Sequence, residues 1–258
     1  NTSYIQGVGI GTVTDSLTAI KYHVFEQQTI SMPGFLKVLN VNFHGHDDFR
    51  EQLLNHTPKY GNDEDYADDI MKEIFEIFYE AVNDRPNTRG GVHRINLLPT
   101  TCHIYFGSMI GALPDARCAG KPLSEGISPV QGADRNGPTA VIKSAAKMDH
   151  IRTGGTLLNQ KFTPQLLDSD ASLDRLVQLI HTTPVFSWGA TPSARLVASS
   201  GPRDGRPLPW LSMKSAPSWP AGEDNGSVPW SRSTPATFCV VTFVMFACPA
   251  VGAWKPEE

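Results

Sequence analysis

No tryptophan occurs before residue 188, and no tyrosine or histidine occurs after residue 181. All six tyrosines and all eight histidines lie at or before His181, whereas all five tryptophans lie at or after Trp188. Residues 184–258 also hold 11 of the 20 prolines. One folded domain rarely divides its residue types so sharply, so the chain reads as two parts that meet near residue 182. Cysteine is scarce. Cys102, Cys118, Cys239 and Cys248 show no CxxC or other metal-ligand spacing, so neither a disulfide framework nor a metal site is expected, and reduced thiols in a cytoplasm are the default. The net charge of −4 leaves no electrostatic reason to expect a nucleic-acid partner. The chain opens at Asn1 without methionine, basic n-region or apolar h-region, and reads as a cut into a longer sequence. The apolar run 237–254 contains Pro249 and Gly252 and lies at the short end of the roughly 20 residues a span needs, so no membrane partner is expected.

Several motifs are missing as well. Gly7, Gly9 and Gly11 are spaced GxGxG, whereas a dinucleotide fingerprint needs GxGxxG between a strand and a helix. The acidic cluster Asp63, Glu64, Asp65 lacks the central glycine of a calcium loop and suits a helix N-terminus instead. No HExxH, GxSxG or P-loop pattern occurs.

The segments that are present alternate between helical and extended patterns, which indicates an α/β class. A helix is predicted to start near Asp15, capped by Asp15 or Ser16, with Leu17, Ile20, Tyr22, Val24 and Phe25 on its apolar side. A second starts at Ser31 with Pro33 in its first turn, and a third spans 47–55. Residues 62–83 give the clearest helical stripe, with Tyr66, Ile70, Ile74, Ile77, Phe78 and Ala81 inward and Asp68 away from it. Residues 93–106 read as extended, broken at Pro99, which cannot donate to a ladder. A loop over 107–138 follows, with six glycines and four prolines. Its polar punctuation at Ser124, Glu125, Ser128, Gln131 and Asp134 suggests a packed, functional loop. Residues 139–149 suit a helix, 153–163 a strand, and 171–181 a helix.

Cys102-His103 invites a nucleophile reading, because a thiolate needs an adjacent base or cation. Neighbours on a strand point to opposite faces, so the bland reading is preferred: Cys102 a buried small residue and His103 a hydrogen-bonded core histidine. Taken alone, these residues identify no reaction.

The runs PKYGNDEDYADDIM, RPNTRGG and LLPTTCHIYFGSMIGALPDARCAGKPLSEGISPVQGADRNGPTAVIKSAAKMDHIRTGGTLLNQKFTPQLL strongly resemble the C-terminal part of glycyl radical enzymes, a family that includes pyruvate formate-lyase. SPVQGADRNGPTAVIKSAAKM is similar to the eliminase branch, which includes glycerol, propanediol and trans-4-hydroxyproline dehydratases and choline trimethylamine-lyase. The resemblance covers residues 1–182 and implies the C-terminal part of a ten-stranded α/β barrel. It implies a radical lyase or dehydratase that cleaves a C–O or C–N bond of a small polar substrate. Formate C-acetyltransferase activity and a non-catalytic barrel fragment are the alternatives. The implied cofactor is a protein-based glycyl radical, installed by a separate radical S-adenosylmethionine activating enzyme; no metal is implied in this chain. The implied assembly is a homodimer, in the cytoplasm or a bacterial microcompartment, under anaerobic metabolism.

Carried over position by position, LLPTT matches the pocket-lining strand, so Leu98 and Thr100 are expected to face the substrate, with Thr101 and His103 nearby. The family's thiyl cysteine belongs to a G-C-x-E loop and its radical glycine to an R-V-x-G-Y loop; neither pattern occurs, so no catalytic residue is assigned and the chain by itself is expected to be inactive. Ala116 stands where the family's PDGRKAG loop has glycine, and Cys118 where it has lysine; a positive φ at Ala116 would strain it. Residues 183–258 match nothing in the family pattern. They are expected to be a frame-shifted, disordered tail without the glycyl radical domain.

Overall fold

The computed structural model describes residues 1–99, 101–162, 169–186, 192–199 and 238–245. Strand β1 (Thr2–Gln6) leads through Gly9, left-handed at φ 80°, into helix α1 (Ile10–Ile20). The helix therefore starts five residues before the predicted cap. Asp15 is not a cap but a buried acceptor, receiving the Tyr60 N–H on Oδ1 at 2.8 Å. Leu17 and Phe25, expected inward, are 44% and 66% exposed. Thr12, Thr14, Ser16 and Thr18 occupy the buried side instead, and Thr14 and Thr18 satisfy their hydroxyls on carbonyls one turn back. A π-helical turn (Lys21–Glu26) ends the unit.

Helix α2 (Met32–Asn40) begins as expected, with Ser31 Oγ accepting the Gly34 N–H and proline in the first turn. Helix α3 (Asp47–Asn55) matches its predicted span. Helix α4 (Asp65–Val82) lies within the predicted 62–83, starting three residues later, and its buried side is rotated from the predicted stripe. Ala67, Asp68, Met71 and Phe75 are buried, and Ile77 is 66% exposed. Asp68 tolerates the interior because Ser144 Oγ and Lys147 Nζ donate to its Oδ2 at 2.9 and 2.7 Å.

Strand β2 (Val92–Asn96) runs parallel to β1, in a register that sets Tyr4 against Arg94 and Gln6 against Asn96. The predicted extended run stops there. Residues Cys102–Met109 form helix α5, which the broken ladder at Pro99 permits despite their strand propensity. Helix α6 (Pro138–Ala146) and a 3-10 turn (His150–Arg152) precede strand β3 (Thr156–Phe162), which joins β2 through a parallel bridge from Leu97 to Thr156. Helix α7 (Asp170–Phe186) follows.

Two described stretches of the tail are strands: β4 (Pro192–Ser199) and β5 (Phe238–Met245). They form an antiparallel sheet of order β3-β5-β4. Runs such as FCVVTFVM are dense in β-branched and aromatic residues, which favour a pleated surface whatever precedes them. One core cluster joins α4, β2, β3 and α6 through Met71, Phe75, Ile95, Leu97, Leu158 and Val141. A second joins α1, α2 and α3 through Ala19, Phe35, Val38 and Leu53, with Ala116 closing it.

Candidate functional site at the strand exits

Successive residues of a strand alternate faces. On β2 this turns Ile95 and Leu97 into the core, where both are fully buried, and places Arg94, Asn96 and Leu98 on the opposite face. The parallel register adds Tyr4 and Gln6 to that face. Tyr4 is half exposed, Gln6 and Arg94 are exposed, and Asn96 and Leu98 are half-buried. Gly154 gives the Tyr4 ring its room, since a Cβ there would lie 2.0 Å from Tyr4 Cε1. At the C-terminal end of the pair, Gln6 Oε1 accepts the Leu98 N–H at 2.9 Å and fixes the backbone where β2 leaves the sheet.

Of the four predicted pocket residues, Leu98 lies at this exit and Thr100 lies outside the described residues. Thr101 is exposed at the N-terminus of α5. His103 is buried in the helix's first turn, with Nε2 3.9 Å from Glu125 Oε2 and no partner for Nδ1 among the described residues. Cys102 is exposed, not buried as predicted. On a helix, adjacent residues point about 100° apart, so Cys102 faces out where His103 faces in. Tyr4, Gln6, Arg94, Asn96 and Glu125 were missed as site residues; the strand alternation in TSYIQ and VHRIN carried the signal for the first four.

The loop after α5 is packed, as its polar punctuation suggested. Ser124 and Thr12 exchange hydrogen bonds, N–H to Oγ in both directions, at 2.8 and 2.9 Å. Ser128 Oγ accepts the Asn159 N–H. The buried Arg117 guanidinium donates to the carbonyls of Gly107, Ile110, Gly111, Cys118 and Lys121, tying the end of α5 to the loop. Ala116 adopts φ 76°, the left-handed conformation expected from the glycine pattern.

Behind the loop lies a buried ionic layer. Lys59 Nζ donates to the Asp115 carbonyl, and Asp115 Oδ1 accepts the Arg117 N–H. Burial raises Asp115, with Lys59 opposing, and pushes Asp15 up to about 7, again against the pull of Lys59. A separate polar cleft of about 220 Å³ lies between Pro58–Asn62 and Ala133–Asn136. Its Asn62 and Arg135 are already bound to loop carbonyls and amides, and none of the strand-exit residues lines it. Among the described residues no group of three or more His, Cys, Asp or Glu could hold a metal ion, and no helix is long and apolar enough to cross a membrane.

Parallel strands joined through long helical crossovers, with a glycine-rich loop packed beside their exits, match two family models. Residues 1–107 match the pyruvate formate lyase-like model, and residues 123–191 match the glycine radical model. The chain belongs to the glycyl radical enzyme family, whose cofactor is a protein-based radical. It is 58% identical over 181 residues to trans-4-hydroxy-L-proline dehydratase of Clostridioides difficile, covering 70% of this chain and 23% of that protein. Isethionate sulfite-lyase of Bilophila wadsworthia is 38% identical over 185 residues, covering 70% of this chain and 22% of that protein. Among solved structures, hydroxyproline dehydratase from Clostridioides difficile with its substrate bound superposes with a TM-score of 0.69 at 56% identity, over 72% of this chain and 24% of that one. The glycerol-bound glycerol dehydratase from Clostridium butyricum gives 0.68 at 40%, over 73% and 24%. The chain thus spans less than a quarter of the curated relatives' length.

Proposed function

We propose that this chain is part of a glycyl radical dehydratase or lyase that cleaves a C–O or C–N bond of a small polar substrate. The observation that carries this reading is the 58% identity over 181 residues to trans-4-hydroxy-L-proline dehydratase. Residues 1–182 supply the C-terminal part of a ten-stranded barrel to which β1, β2 and β3 belong. Residues 183–258 are a frame-shifted tail without the radical-bearing loop: no glycine after residue 184 is followed by tyrosine.

The glycyl radical supplies hydrogen-atom abstraction. The residues of this chain hold and shield the substrate. Leu98, Thr100, Thr101 and His103 line the pocket; Gln6 fixes Leu98, and Glu125 stands beside His103. The packed loop keeps water from one side of a site whose chemistry needs a dry cavity. A separate activating enzyme and a second copy of the full-length protein are the partners, in the cytoplasm.

The test is anaerobic incubation of the intact enzyme with its activating enzyme. A glycyl radical signal in electron paramagnetic resonance, with dehydration of trans-4-hydroxy-L-proline or glycerol, is expected. The chain alone should give no such signal. An intact enzyme without radical, or a radical on the chain alone, would sink this reading. The coding DNA, translated in its other two frames past residue 182, should yield a Gly-Tyr loop.

A further inference from the structure

We propose that Gln6 and Arg94 form a carboxylate-reading pair that orients a small hydroxylated acid across the exits of β1 and β2. The proposal rests on the reading of these exits as the substrate pocket, and it narrows the substrate from any small polar molecule to one with a negative charge.

The two residues share a face by register. Tyr4 sits opposite Arg94 and Gln6 opposite Asn96, so Gln6 is one diagonal step from Arg94, within reach of long side chains. The other residues on that face, Tyr4, Asn96 and Leu98, are uncharged, so the face carries one full charge and it is positive.

Arg94 has no acid or carbonyl partner among the described residues. Arg50, Arg117, Arg135 and Arg152 are all committed to carbonyls or a carboxylate. A guanidinium fork fits a carboxylate with two parallel N–H···O bonds, which gives orientation as well as attraction.

Gln6 adds a second, directional donor. Its bond to the Leu98 N–H must be made by the amide oxygen, because only the oxygen accepts. The NH₂ group therefore points away from Leu98, and both of its hydrogens lack an acceptor among the described residues. Gln6 ends β1 and Arg94 stands at the middle of β2, one diagonal step back from the C-terminal end at which α/β sheets and barrels bind ligands.

The experiment is heteronuclear NMR titration of the full chain, which reads dissociation constants into the millimolar range. The probes are trans-4-hydroxy-L-proline, its neutral carboxamide, and glycerol. The acid should bind at least tenfold tighter than the amide or glycerol and shift the Leu98 amide resonance. Arg94→Gln should erase that preference. Gln6→Glu separates the two roles of Gln6, since it keeps the acceptor for Leu98 and replaces the donor by a negative charge. It should leave the unliganded Leu98 resonance in place while weakening the acid at least tenfold and sparing glycerol.

Equal affinity for acid and amide, a preference that survives in both variants, or no binding of any probe overturns the pair. A radical-free, inactive intact enzyme with the acid preference intact would overturn the enzymatic reading and leave the pair standing.

Discussion

Asp15 is fully buried inside α1, with one oxygen on the Tyr60 N–H and Lys59 as its nearby cation. Burial holds its carboxyl up at about 7, against an ordinary value of 3.8. Between those values the folded chain keeps a proton that the unfolded chain releases. Asp15 therefore contributes stability that is fully present below pH 4 and is lost as pH rises through about 7. About three pH units at about 1.4 kcal/mol each set an upper bound of about 4 kcal/mol. His150 works the other way. Burial lowers it to about 4, so its contribution is present above 6.5 and lost as pH falls through 4. The two slopes oppose each other between pH 4 and 6.5. Asp15→Asn keeps the acceptor for Tyr60 and removes the titration. Urea unfolding of the two proteins should show a stability difference in favour of the variant that grows from pH 4 to 7 and then levels off. A difference independent of pH would refute the assignment. The strain at Ala116 was legible from the glycine it replaces; the burial of Asp15 was not. An acidic residue near a glycine loop reads as a helix cap unless its partner, 45 positions away, is known.

Helix boundaries and faces divided by the kind of signal behind them. Helix α2 was legible because Ser31 and Pro33 act within one turn. The buried side of α4 was not, because Asp68 is drawn inward by Ser144 and Lys147, 76 and 79 residues away. Helix α5 was misread as a strand because Ile104, Tyr105 and Phe106 have strand propensity, which the position after Pro99 overrides. Leu98 was reached as an expected pocket residue through resemblance alone, whereas the polar face beside it follows from alternation once the β1 register is known. The loop joining α5 to this face depends on Gly126. It has φ 51°, and a Cβ there would lie 2.3 Å from the Leu157 carbonyl and 3.0 Å from that of Leu97. Those two carbonyls accept the N–H groups of Ile127 and Leu157. Gly126→Ala should therefore cost about 3 kcal/mol or more, combining left-handed strain with displaced backbone. Gly45→Ala, with φ 74° and nothing within 4 Å, should cost only about 1 kcal/mol. Chemical denaturation of both variants checks the contrast, and equal losses would show that the loop adjusts freely.

At the scale of the molecule, β1 and β2 form a two-stranded parallel sheet. Parallel sheets are normally covered on both faces and continued at their edges, because one exposed edge offers a row of unpaired N–H and C=O groups. Here Tyr4 and Ile5 are 50% and 40% exposed on β1, and no described strand pairs its outer edge. Helix α5 exposes Ile104, Tyr105, Phe106 and Met109 by 44–73%. A single such residue is ordinary, but four on one eight-residue helix, in a chain that also has a free strand edge, make a surface that water penalises. Relatives of which the chain covers less than a quarter have the material to cover it. The isolated chain should therefore self-associate, with an apparent mass in sedimentation that rises with protein concentration. Ile5→Lys places a charge on the edge strand, at a residue that is 40% exposed although it stands opposite the buried Ile95. It should lower the association at least several-fold, while Ile77→Lys on the exposed side of α4 should not. A chain that stays monomeric up to millimolar concentration would show that the edge and the α5 face are covered within the chain itself.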